Sequence, residues 1–185
     1  MTLTKTPICD FGKKAVNFKL KSTNNEFISL EQIKGERGTL IMFICNHCPY
    51  VKAIITDLVQ DCKNLKKEGI NSVAIMSNDT KNYPEDSFDK MISFAKDNDF
   101  GELRYLIDET QEIAKKYGAV CTPDFFGYNS NLELQYRGRI RELRDLKPVK
   151  SEDSDLKLAM KMIAKTQKGP SKQIPSMGCN IKWFK

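Results

Sequence analysis

Much of what this chain could do is ruled out by what it lacks. No apolar run approaches the ~18 residues that would span a bilayer. "MTLTKTPICDFGKKAVNF", the first stretch, holds no apolar h-region and no small-residue cleavage pattern. A cytoplasmic location, away from membranes, is therefore expected. No repeat and no low-complexity tract interrupts the chain. Histidine occurs once, as His47. The +6 formal charge is spread along the chain, and its densest run, "RGRIRELRDLKPVK" (137–150), is broken by acids and has no nucleic-acid motif beside it. A solvated loop is the expected reading, with no nucleic-acid partner.

What is present suits a soluble globular protein. At 185 residues the chain is long enough to bury a core without staples, and one domain is the simplest organisation. Six cysteines in a reducing compartment do not make a disulfide framework. They are catalytic thiols, metal ligands or small buried hydrophobes.

"TLIMFI" (39–44) reads as a central strand buried on both faces. From Pro49 the apolar residues recur at three and four, through Val51, Ile54, Ile55, Leu58, Val59, Cys62 and Leu65. That spacing predicts an amphipathic helix ending near Gly69. Further strands are expected in "INSVAIMS", "RYLID", "FFGYN" and "LELQYRG", the last two joined by the turn "NSN". Helices are expected in 84–100, in "ETQEIAKKYG" and within 154–166. "VNFKL" and "EFISL" predict an N-terminal hairpin. The order β-α-β-α-β-α-β-β-α argues for crossover units and a central mixed β-sheet flanked by helices in an α/β fold. The core is expected over about 15–166, with residues 167–185 a tail that wraps over the surface.

The chemistry centres on "ICNHCPYV" (44–51). Cys45 ends the strand and Cys48 opens the helix, whose first turn offers free N–H groups and partial positive charge. A thiolate is favoured there. Two intervening residues let the sulfurs meet at disulfide distance. His47, partly protonated, would favour a Cys45 thiolate if its ring faces that sulfur. A metal site built from Cys45, Cys48, His47 and Cys121 or Cys179 is the competing reading, for zinc or copper. The second half of a zinc ribbon is absent, and no metal is expected. Cys62 falls on the apolar helix face and is expected in the core. Cys9 lies in an extension expected to be mobile. Arg137 and Arg139 are candidates for holding an anion, or simply a charge pair at a strand edge.

A CxxC after a buried strand and before a long helix, with "TP" at Thr122-Pro123 ahead of a later strand, resembles the thioredoxin superfamily. "FICNHCPYV", "KKYGAVCTPDFF", "YRGRI" and "MGCNIKW" are similar, more narrowly, to its peroxiredoxin-like branch, the alkyl hydroperoxide reductase and redoxin group. The resemblance implies a thioredoxin-like fold with a cis Pro123 facing the CxxC. It implies that Thr122 and Pro123 line a groove for the substrate chain. Cys121 and Cys179 become candidates for a resolving or third redox thiol. Two departures stand out. The strand has no acid of the kind that serves the second cysteine of a thioredoxin, so a carboxylate from elsewhere, water or His47 must serve. Cys45 occupies the place where peroxiredoxins carry threonine.

Two activities follow. A thiol–disulfide oxidoreductase would attack a protein or small-molecule disulfide with an exposed Cys45, and Cys48 would release the product. A thiol peroxidase would attack a hydroperoxide, most naturally with Cys48 and otherwise with Cys45, and the other thiol of the pair, Cys121 or Cys179 would resolve the sulfenic acid. Both need an external thiol reductant and no cofactor.

Overall fold

The computed structural model describes residues 2–150 and 153–185. Its strands are β1 (Leu3–Lys5), β2 (Lys19–Ser22), β3 (Phe27–Ser29), β4 (Gly38–Phe43), β5 (Ile70–Met76), β6 (Arg104–Ile107), β7 (Cys121–Thr122), β8 (Asp124–Asn129), β9 (Leu134–Tyr136), β10 (Leu143–Arg144), β11 (Lys147–Pro148) and β12 (Met177–Asn180). Its helices are α1 (Leu30–Ile33), α2 (Pro49–Lys67), α3 (Phe88–Asp97), α4 (Glu112–Tyr117) and α5 (Asp155–Thr166).

Seven strands form the central sheet in the order β3-β2-β6-β5-β4-β8-β9. β4 runs parallel to β5 and antiparallel to β8, and β5 runs parallel to β6. The sheet is therefore mixed, with its parallel pairs where the β-α-β crossovers predict them.

All six residues of β4 are buried. Alternation along the strand sends Leu40 and Met42 into a core with α2, α3 and α5, and Ile41 and Phe43 into a second core with α1 and α4. Burial of β4 on both faces explains why its sequence is a continuous apolar run. Cys62 is buried within the first core, as its helical position implies.

Three local differences from the expected elements matter. The expected helix over 84–100 is a 3-10 turn at Pro84–Asp86 followed by α3. Its first turn is diverted because Asp86 faces inward, fully buried. The N-terminal segment holds β1 rather than a loose extension, and the tail holds β12. These two pair with each other, and β12 pairs on its other side with β7, in a second sheet, β1-β12-β7. Cys179 and Ile181 are consequently buried, so the tail is built into the structure and does not merely wrap it. Among the described residues no helix is long and apolar enough to cross a membrane.

Candidate active site around Cys45 and Cys48

α2 begins at Pro49, and Cys48 occupies the position before it, with no side-chain cap. A proline fits the first helical position because its missing N–H would be unsatisfied anyway. The first-turn N–H groups are thereby left facing the Cys48 sulfur, and the Val51 backbone helps to lower its thiol.

Neither sulfur is exposed. Cys45 is 1% and Cys48 0% accessible, so the expected exposed Cys45 is buried instead. Cys45 Sγ lies 3.3 Å from Thr122 Oγ1, and Cys48 Sγ lies 3.1 Å from the Thr122 carbonyl oxygen. The Thr122-Pro123 peptide is cis. Thr122 thus stands against both sulfurs, and a cis bond joins it to Pro123.

The proton shared by the two thiols is not shared evenly. The Cys45 S–H donates to Cys48, which pulls the Cys48 thiol down to about 5 against the cost of burial. The Thr122 hydroxyl and the backbone N–H groups of Cys179 and Val51 add to this. Cys45 is pushed well above the ordinary thiol range by that same bond, by burial and by the negative charge of Asp86. One contact opposes the assignment: the Thr122 carbonyl accepts a hydrogen bond only from a protonated Cys48. Several donors stand against one acceptor, so Cys48 is the thiol held low and Cys45 the one held high.

A buried carboxylate near the pair comes instead from Asp86, on the turn before α3. Its Oδ1 accepts from the backbone N–H groups of Asn46 (2.8 Å) and His47 (3.3 Å). Its Oδ2 accepts from His47 Nδ1 (2.7 Å) and Asn78 Nδ2 (2.8 Å). Burial works against its charge, but the His47 and Asn78 bonds win and its carboxyl sits below the usual range. The same bond raises His47, whose ring stacks on Tyr83. His47 therefore answers to Asp86, and the pair's carboxylate disfavours a charge on Cys45. The charge that His47 meets among the thiols is that of Cys48, which helps to raise it. Asp86 was missed because it lies 39 positions from His47 on a turn with no motif.

Atoms of Cys45, His47 and Asp86 lie within 4.8 Å of one another, the one such group among the described residues. All four carboxylate bonds of Asp86 face hydrogen donors, and a cation there would have to displace them.

The other cysteines divide. Cys179 brings its amide and its thiol to Cys48, and its own thiol is pushed up to about 12, by burial first and then by that bond. Cys121 is buried beside the cis peptide, 3.6 Å from the Pro123 carbonyl oxygen, and burial raises its thiol strongly. Cys9 stays half-buried, at about 11. Arg137 forms a buried pair with Asp124 (2.9 Å), and Arg139 pairs with Asp155 (2.7 Å), so both guanidinium groups are committed to carboxylates rather than to Cys45 or Cys48.

Comparison with known proteins follows the same line. The model of the AhpC/TSA family matches residues 11–143. An uncharacterized conserved protein from Geobacillus kaustophilus is 37% identical, with a TM-score of 0.94 over 100% of this chain and 97% of its own. A hypothetical protein from Sinorhizobium meliloti is 34% identical, with a TM-score of 0.89 over 98% of each chain. The thioredoxin domain of a thiol-disulfide oxidoreductase from Bacteroides vulgatus shares the fold at 14% identity, with a TM-score of 0.58 over 72% of this chain and 89% of its own. No curated protein matches the sequence.

Proposed function

The chain belongs to the AhpC/TSA family, a group of thioredoxin-like redox enzymes, and from that premise we propose that it is a thiol–disulfide oxidoreductase whose working unit is the Cys45–Cys48 pair. The observation that carries this reading is geometric: Cys45 and Cys48 meet at the start of α2 against one residue, with Cys45 Sγ 3.3 Å from Thr122 Oγ1 and Cys48 Sγ 3.1 Å from the Thr122 carbonyl oxygen, beside the cis Thr122-Pro123 peptide. A ready thiolate beside a ready thiol is what a dithiol–disulfide cycle needs. Cys48 attacks a sulfur of the substrate disulfide and forms a mixed disulfide, and the leaving thiolate takes up a proton. Cys45 then loses its proton and attacks Cys48, which releases the second substrate thiol and closes the Cys45–Cys48 bond. An external thiol reductant returns the two electrons. The attacking order is opposite to the one expected from the sequence, because Cys48 is the thiol of the pair held low.

His47 and Asp86 position the loop between the two cysteines, and Thr122 holds both sulfurs, Cys45 through its hydroxyl and Cys48 through its carbonyl. The chain is read as one thioredoxin-like unit, with the tail 167–185 contributing Cys179 to the site. The test is disulfide reduction with Cys45→Ser and Cys48→Ser proteins. Cys48→Ser should lose all activity, and Cys45→Ser should stall at a mixed disulfide on Cys48. Full turnover by either variant sinks the reading.

One observation favours a second reading, thiol peroxidase. The Cys48 sulfur stands at a helix N-terminus with several donors around it, an arrangement equally fit to attack an O–O bond. Trapping a sulfenate on Cys48 in the Cys45→Ser protein after addition of peroxide would establish it.

A further inference from the structure

The edge of β7 is the expected bed for a substrate chain, yet it is already occupied. β12 lies antiparallel along it, with Cys179 opposite Thr122 and Asn180 opposite Cys121. On its other side β12 is held by β1, with Leu3 opposite Cys179 and Thr4 opposite Gly178. Contact at Gly178 is close enough that a Cβ there would stand 2.0 Å from the Thr122 carbonyl oxygen. An extended polypeptide recognises a sheet edge through unpaired backbone groups, and β12 has paired them.

The strand is anchored at both ends. Before it, Ser176 Oγ donates to the Pro123 carbonyl (2.8 Å). After it, the Lys182 amide donates to Asn78 Oδ1 (2.9 Å), while Gln111 Nε2 donates to the Lys182 carbonyl and the Phe184 amide donates to Gln111 Oε1, both at 2.8 Å. Asn78 in turn donates to Asp86. One run of hydrogen bonds thus joins the tail to the His47–Asp86 pair.

We propose that β12 is a strap seated in the substrate edge, so that the folded protein acts on compact electrophiles with a weak O–O or S–S bond and excludes polypeptide disulfides. This rests on the Cys45–Cys48 pair being the redox centre. Cys48 takes one atom of the weak bond, the other departs with the bonding pair and a proton, and Cys45 displaces the first as the Cys45–Cys48 disulfide forms. A hydroperoxide yields an alcohol and water, or two waters from hydrogen peroxide; a small disulfide yields two thiols. A compact reagent needs a local opening of the tail, whereas a polypeptide needs β12 removed along its length.

Reduced full-length protein is mixed separately with hydrogen peroxide, hydroxyethyl disulfide and insulin, and formation of the Cys45–Cys48 disulfide is followed by acid quench and alkylation. At least one small reagent should oxidise the pair roughly tenfold faster than insulin does, and the faster of the two identifies the O–O or the S–S substrate. Gly178→Ala should raise the ratio of the insulin rate to the hydroxyethyl disulfide rate by roughly tenfold, because it lifts β12 from β7. Gln111→Ala, which frees only the end of the tail, should move the ratio the same way by less, and it serves alone if Gly178→Ala does not fold by circular dichroism. Insulin reacting as fast as the faster small reagent, or a ratio unmoved in the folded variants, overturns the strap while leaving the redox pair standing. No oxidation by any of the three reagents overturns both.

Discussion

Cys48 and Cys45 differ by little in sequence and by much in surroundings. The backbone of Val51 and Cys179 donates to Cys48, whereas Cys45 meets the negative field of Asp86. A thiol lowered from its ordinary value near 9 to about 5 contributes stability that is full above about 9, declines as pH falls below it and is gone once pH has fallen through about 5. Reaction of the reduced protein with a small disulfide should therefore be flat from neutral pH down to about 6 and fall about tenfold per unit below about 5. The same depression favours the reduced state, which makes the disulfide a stronger oxidant. Stopped-flow rates across pH check the first point, and a glutathione redox titration checks the second. The pair was legible because CxxC states its own geometry. Asp86 was not, since only the turn between β5 and α3 carries it to His47. Replacing Asp86 by alanine strands the Asn78 amide and the His47 ring and should cost about 3–5 kcal/mol, read as a lowered denaturation midpoint. This ion pair has two limits. Asp86 is lowered, so its contribution is lost as pH falls through its folded value; His47 is raised, so its contribution is lost as pH rises through its own.

At the scale of elements, legibility followed length and periodicity. α2 repeats its apolar residues over nineteen positions, and the sequence pattern found both its start and its face. β12 has four residues, "MGCN", with little strand propensity, and it pairs with two segments far away in sequence, β1 and β7. Nothing local announces such a strand. α5 shows how a single residue can hold an element in place. Ser154 Oγ accepts from the Lys157 amide (3.0 Å) as its N-cap and donates to the buried Asp61 (2.5 Å). Ser154→Ala should lose the cap and leave Asp61 without this donor, at a cost of about 1–2 kcal/mol. Urea unfolding should show a lower midpoint with an unchanged slope.

For the whole molecule, the run at 137–150 gives much of its positive charge to partners within the fold. Arg137, Arg139 and Arg141 meet Asp124, Asp155 and Asp57. A basic segment in the sequence is thus, in the structure, a set of ties between β9, α5, α2 and the cis-proline strand. The Arg137–Asp124 pair is buried, so Asp124→Ala should be strongly destabilising, by about 3–5 kcal/mol, through the stranded guanidinium. Thermal unfolding of that variant checks it. The central sheet was readable because strand and helix alternate in a right order for crossover units. The closure of the thiols by the N-terminal strand and the tail was not, because it depends on three segments meeting. The account stands or falls on Cys45 and Cys48 acting as one redox pair. Reduced protein should be oxidised with one equivalent of a small oxidant, quenched in acid, alkylated and its disulfides mapped by mass spectrometry. The prediction is a Cys45–Cys48 bond as the main product, with Cys62, Cys121 and Cys179 still reduced. Persistent thiols at Cys45 and Cys48, or a bond that leaves Cys48 out, would contradict it.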